Sequence, residues 1–242
     1  MQKYSNKKVG ATAQCHGNDG EIVTEFEEIL VQAAHGIGME LSEGEIASFH
    51  TYYREILFWN KKISLVSAKS PTDLPVKHCI DSLTAMKVIG HDCLTLLDIG
   101  AGAGFPGIPI KIMRPSLKVT LVDAHRKKVS FLKNVARKLD LSDTIVLNQR
   151  IEGLMQDEQH RGMYDCVISR ATFALSKYLD MAAPFLTAHG VLIAMKGRGI
   201  DAELDGNDDI TRRAGIMLAE RHEISLPVIG DKRIILTFKR TD

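Results

Sequence analysis

Four glycines fall within eight residues of the stretch LLDIGAGAGFPGIP, Leu96 to Pro109. An apolar run ends on an acid, Asp98, and the glycines follow at Gly100, Gly102, Gly104 and Gly107. Glycines at a strand end let the backbone come close to a ligand, and a helix opening behind them aims its N–H groups at it. Two patterns overlap. Gly102, Gly104 and Gly107 satisfy G-x-G-x-x-G, the dinucleotide fingerprint. Asp98, Gly100, Gly102 and Gly104 satisfy D-x-G-x-G-x-G. A dinucleotide loop starts directly at the strand end, whereas Gly100 and Ala101 intervene here. A carboxylate at the loop mouth also repels a pyrophosphate. It suits a ligand carrying a sulfonium and an ammonium, which describes S-adenosylmethionine (SAM), whose product is S-adenosylhomocysteine. A second acid, Asp123, lies roughly 20 residues on, placed to accept hydrogen bonds from a ribose of either cofactor. The rival reading is an NAD-dependent oxidoreductase.

The elements around this loop follow from the apolar spacing. Ser42 with Glu45 three residues later reads as a capping box, and Ile46, Phe49, Tyr53, Ile56 and Leu57 follow on one helical face. A third helix is expected over Asp73 to Ile89. From Leu94 the pattern alternates. LTLLDIG, LKVTLVD, TIVLNQR, YDCVISRA and VLIAMKG read as strands. Between them, PGIPIKIMRP, RKKVSFLKNVARKLDL and ALSKYLDMAAPFLTAHG read as helices, the last closed by Gly190. A helix near Ile210 to Glu220 precedes HEISLPV and RIILTFKR, two strands close enough to pair antiparallel. This alternation gives an α/β fold with a Rossmann-like doubly wound sheet, final strand antiparallel, and an N-terminal helical extension. The expected division is a flexible tail over residues 1–20, a helical region over 21–92 and a catalytic domain over 93–242.

Bulk properties narrow the classes. The chain has 242 residues, 45% hydrophobic and 25% charged, which suits one folded α/β domain with an extension. Its net charge of +1 does not announce a nucleic-acid partner, so one would need a local basic patch. The four cysteines, Cys15, Cys79, Cys93 and Cys166, form no CxxC pair, which argues against a metal site or a disulfide framework. The N-terminus lacks a signal-peptide core, and no apolar run approaches the ~20 residues of a membrane span. A cytoplasmic protein without membrane or metal is expected.

Further segments carry a resemblance. WNKKISLVS (Trp59 to Ser67), KHCIDSL (Lys77 to Leu83), the FPGIP tail of the glycine loop and VDAHRKKVSFL (Val122 to Leu132) fall in one order with QRIEGL, ISRA, MKG and RHEISLPVIGDKRIILTFKR. In that order they resemble the 16S ribosomal RNA guanine-N7 methyltransferase G family, also called glucose-inhibited division protein B, from about residue 21 to the end. Ser64 and Ser67 depart from the family's usual Asn and Thr.

The resemblance implies a class I SAM-dependent methyltransferase acting on 16S rRNA of the small ribosomal subunit. A monomer is the expected state. It implies that Gly100 and Phe105 line the cofactor and that Ile151 and Glu152 flank its adenine. It puts Arg170 where cofactor and RNA meet, and Lys127, Arg150 and Arg233 on the RNA. The chemistry it implies needs no general base, because guanine N7 carries a free lone pair and no proton. The enzyme's task is then to hold N7 ~3 Å from the methyl carbon, opposite the departing sulfur. Lys61, Lys62, Lys127, Lys128, Arg150, Arg170, Lys196, Arg198 and Arg233 are expected to gather at the cofactor mouth to meet phosphate. A non-catalytic RNA-binding or assembly factor of the same fold is the remaining alternative.

Overall fold

The computed structural model describes residues 19–170, 173–197, 199–204 and 208–241. The expected tail therefore lies outside the described residues up to position 18, and Arg198 lies outside them too. Helix α1 (Asp19–Gly36) already includes the last two tail positions. Helix α2 (Glu43–Asn60) starts on the expected capping box: Ser42 N–H donates to Glu45 at 2.7 Å, and Glu45 N–H returns a bond to Ser42 Oγ at 3.3 Å. Tyr52, rather than the exposed Leu57, completes its buried face with Phe49 and Ile56. The expected third helix is a composite: a π-helical stretch Asp73–Ile80, one α-turn, α3 (Asp81–Leu83), and a 3-10 turn Thr84–Lys87.

Seven strands form one sheet: β1 (Thr95–Ile99), β2 (Lys118–Asp123), β3 (Thr144–Asn148), β4 (Tyr164–Ser169), β5 (Leu186–Lys196), β6 (Ile216–Ser225) and β7 (Lys232–Arg240). Their order is β3-β2-β1-β4-β5-β7-β6, with β7 antiparallel to both neighbours and the other pairings parallel. The helices of the α/β part are α4 (Gly107–Met113), α5 (Arg126–Lys138), α6 (Ile151–Leu154), α7 (Leu175–Ala182), α8 (Asp201–Leu204) and α9 (Asp208–Ala214). Alternation along the strands sorts the core into two layers. Leu96, Cys166, Ile168 and Ile193 face α1, α2, α4 and α5, while Leu97, Val167, Leu192 and Leu236 face α7. The order reverses between β1 and β4, so ligands are expected beyond the C-terminal ends of those strands.

Two boundaries differ from the sequence pattern. The helix expected to close at Gly190 ends near Ala182, a short turn follows through Phe185, and Gly190 lies inside β5. The pairing jumps from Tyr164↔Leu186 to Cys166↔Val191, so the chain bulges there. A Cβ on Gly190 would meet Tyr164 O at 2.9 Å, so the glycine serves a close approach rather than a helix cap. The helix expected to reach Glu220 stops at Ala214 because Gly215 turns into the left-handed region at φ +63°. The freed residues lengthen β6, whose exposed edge carries Glu220, Arg221, His222 and Glu223.

Candidate cofactor and substrate site

The glycine loop is built around its two acids. Gly100, Gly102 and Gly104 take φ of +73°, +60° and +94°, conformations that side chains resist. Gly107 sits so close to the sheet that a Cβ would lie 2.5 Å from Leu121 and 2.9 Å from Asp98 Oδ2. Gly107 N–H donates to Asp98 Oδ2 at 2.9 Å, and Gly102 N–H donates to Asp123 Oδ2 at 3.0 Å. Each acid therefore fixes one loop amide. Asp98 is fully buried beneath the loop, not at its mouth. Its Oδ1 has no partner among the described residues. Burial pushes its carboxyl up to about 7, against the pull of the Gly107 bond and of the Arg170 charge. A buried carboxylate oxygen without a donor is costly, and a cationic ligand beside it would relieve that cost. A ligand with an ammonium and a sulfonium fits this loop on that ground.

Helix α2 clamps the loop from the other side. The Tyr52 hydroxyl donates to Ala103 O, and its ring lies 5.3 Å from that of Phe105. Tyr52 is fully buried, so this bond has no competing water. Tyr52→Phe is expected to leave the fold intact and weaken SAM binding about fivefold, roughly the net worth of one hydrogen bond. Equilibrium binding with a parallel melting curve checks this.

An open cavity of about 350 Å³ lies beyond β1, β2 and β3. Of the residues named from the sequence, Gly100, Asp123, Ile151, Glu152, Arg150 and Lys128 line it. Phe173 and Lys177, which the sequence reading did not single out, close it from the β4 side. Lys127 is exposed on the first turn of α5 and does not line the cavity. Asp98, Gly102, Gly104 and Phe105 do not line this cavity.

The remaining expected residues form a second group. Arg170, just after β4, donates through Nη1 to Lys77 O at 2.9 Å and to Asp81 Oδ2 at 3.2 Å. Its Nη2 lies 2.9 Å from His78 Nδ1, and its guanidinium covers the Phe105 ring at 4.9 Å. His78 itself stacks on Phe105 with centroids 5.0 Å apart. Burial and the Arg170 charge hold the His78 imidazole down to about 4, so it is neutral near pH 7 and its Nδ1 accepts from Arg170. Asp81, 4% exposed, also meets Arg233 Nε at 3.3 Å. His78 and Asp81 are thus joined through an arginine. No cluster of three or more metal-ligating side chains occurs among the described residues. A smaller cavity of about 170 Å³ opens on this group, lined by Asp81, Arg170, Lys196, Gly197 and Arg233. The basic residues gather in two places, Lys128 with Arg150 and Arg170 with Lys196 and Arg233, whereas Lys62 lies over the Phe58 ring.

Comparison with known proteins decides between the cofactor patterns. Residues 45–239 match the family profile described as rRNA small subunit methyltransferase G, GidB. The chain belongs to this family. A ribosomal RNA small subunit methyltransferase G of Syntrophus aciditrophicus (strain SB) is 46% identical over 214 residues, 88% of this chain and 89% of the relative. The fold is shared more widely. A SAM dependent methyltransferase from Aquifex aeolicus superposes with a TM-score of 0.53 at 20% identity, covering 70% of this chain and 93% of that one. M. jannaschii TYW2 in complex with AdoMet gives 0.51 at 17% identity, covering 66% and 76%. The methyltransferase G family motifs now have structural counterparts. Asn60 of the WN segment accepts from Leu65 N–H at 2.8 Å and donates to Val66 O at 3.0 Å, closing the turn after α2. Ser67 meets His78 through its backbone, so this contact does not depend on the departure from the family's Thr.

Proposed function

We propose that this chain transfers a methyl group from SAM to N7 of a guanine in the 16S rRNA of the small ribosomal subunit. Methylation of small-subunit rRNA is the activity named for its family, and the match over residues 45–239 carries the reading. When bound, the cofactor supplies a methyl group on a sulfonium, already a good leaving group. The chain's residues bind and orient. The orphaned oxygen of Asp98 takes the cationic part of the cofactor. Asp123 accepts from ribose hydroxyls, Gly100 presents backbone, and Ile151 and Glu152 flank the adenine. Asp123 then exchanges part of its present bonding, since it already accepts from Gly102 and His125 N–H groups.

Phe105 carries Arg170 on its face, and Arg170 stands between cofactor and RNA. Lys127, Arg150 and Arg233 contact phosphate. No residue need remove a proton, because guanine N7 has none to lose. Asp81 is held by two arginines and is assigned no proton transfer. The reading needs no metal, and the chain works as a cytoplasmic monomer. Among the described residues no helix is long and apolar enough to cross a membrane.

The test is transfer of radiolabelled methyl from SAM to small subunits taken from a strain lacking the modification. Label recovered in 7-methylguanosine is the expected result. Absence of label on subunits and on free rRNA, with SAM bound, overturns the substrate assignment.

A further inference from the structure

Lys196 ends β5 on the side of the sheet where the cofactor cavity opens. The sequence pattern groups it with the cations expected to meet phosphate. In the folded chain its ammonium is already engaged. The side chain is 14% exposed, donates to Phe173 O and lies 3.5 Å from Glu203 Oε2. A lysine held by protein oxygens in this way would have to leave them to neutralise a phosphate.

Both acceptors belong to the entry of α7. Phe173 lies two residues before the helix, and Glu203 Oε2 also accepts from Leu175 N–H, in its first turn, at 2.6 Å. A carboxylate there satisfies an amide that the helix leaves unpaired, and it suits the positive end of the helix dipole. Lys196 therefore ties the segment after β4, and α8 through Glu203, to the end of β5.

This tie holds one wall of the cofactor cavity. Phe173 and Lys177 line that cavity from the β4 side, and Ile151 and Glu152 line it from the β3 side. Lys177 Nζ lies 3.6 Å from Glu152 Oε1, but both side chains are more than half exposed, so that pair holds the wall weakly. The Lys196 tie is the better shielded of the two. Lys196 also lines the smaller cavity with Arg170 and Arg233, so it stands between the two cavities.

We propose that Lys196 is a positioning residue for the cofactor: by holding Phe173 O and Glu203 it sets Phe173 as a wall of the SAM cavity, and it does not contact phosphate. The proposal rests on SAM as the occupant of that cavity. Without the tie, the ligand must order the segment itself, which costs affinity. The loss of Lys196 therefore shows in SAM binding before any RNA is present.

The experiment titrates SAM into the full chain and its Lys196→Met, Phe173→Ala and double variants by calorimetry, well below their melting temperatures. Lys196→Met is expected to raise the SAM dissociation constant about tenfold, as loss of a charge-assisted hydrogen bond would. Phe173→Ala should raise it by about the same factor. The double variant should stay within about twofold of Phe173→Ala alone, because the tie then has no wall to position. In the absence of SAM, the Leu175 amide of Lys196→Met should exchange with solvent about fivefold or more faster. Binding to small subunits across a salt series should keep its slope, whereas loss of a phosphate contact would lower the slope by about one.

Unchanged SAM affinity in Lys196→Met overturns the proposal. So do losses that multiply in the double variant, or a shallower salt slope. A full chain that binds no SAM overturns the cofactor reading and this inference with it. If Lys196→Met does not fold, Glu203→Ala, at an exposed position, carries the same test. It should raise the SAM dissociation constant about fivefold alone and no further on top of Phe173→Ala.

Discussion

Asp98→Asn is expected to raise the dissociation constant for SAM about 30-fold or more, while the free protein becomes no less stable. The two effects have opposite signs for one reason. Asparagine keeps an oxygen to accept the Gly107 N–H, so the loop frame survives. It removes a buried charge whose second oxygen has no donor. In the free protein the Asp98 carboxyl sits at about 7, above the ~3.9 of an unfolded chain. Between those values the folded state holds a proton that the unfolded state has released. Stability from this group is therefore present at low pH and lost as pH rises toward 7, by an amount on the order of 4 kcal/mol at most. The asparagine variant lacks that loss, so its advantage in melting temperature should be absent near pH 4, grow as pH rises and be full by about pH 7.

Cofactor binding runs the other way. A cationic ligand favours the ionised carboxylate, so binding below pH 7 expels a proton. SAM affinity should rise up to tenfold per unit as pH climbs toward 7, then level off, and fall once the ligand's own α-amino group deprotonates near ~8. Calorimetric titration across pH 5.5 to 8.5 checks this on both proteins. Equal, flat affinities for the two would show that Asp98 only frames the loop.

The sheet was legible because its signals are local. Ser42 with Glu45, the spacing of Val129, Leu132 and Val135, and the apolar runs of β1, β2 and β4 each lie within one element. The glycine pattern likewise marked the loop, and the acid ending β2 marked a wall of the larger cavity. What failed locally was a glycine with two possible meanings. Gly190 fits a helix cap or a bulge, and only Tyr164 lying across the sheet decides it. The depth of Asp98 was not legible either, since burial depends on α4 folding back over β1. The least legible contacts join distant segments. Tyr52 and Ala103 are 51 positions apart, and Arg170 meets Lys77, His78 and Asp81 across 89 to 93. KHCIDSL and ISRA each looked like a separate motif, while in the folded chain they are one device.

That device yields the second large effect. Arg170→Met is expected to lower methyl transfer about 100-fold or more and to cost roughly 2–4 kcal/mol of stability. The guanidinium serves Lys77 O, Asp81 and His78 Nδ1 at once while lying over Phe105. Its loss strands a carboxylate that is 4% exposed, with Arg233 as the remaining cation beside it. Lysine would not substitute, because an ammonium lacks the planar fork and cannot stack on the ring. The stability cost and the activity loss have different origins and can be separated. Adding Asp81→Asn to Arg170→Met removes the stranded charge, so denaturant unfolding should recover about 1–2 kcal/mol. Activity on small subunits should not recover, because the group between the cofactor loop and the arginine-lined cavity is still missing. A double variant that regains both stability and methyl transfer would show that Arg170 acts only by holding the helical segment onto the loop.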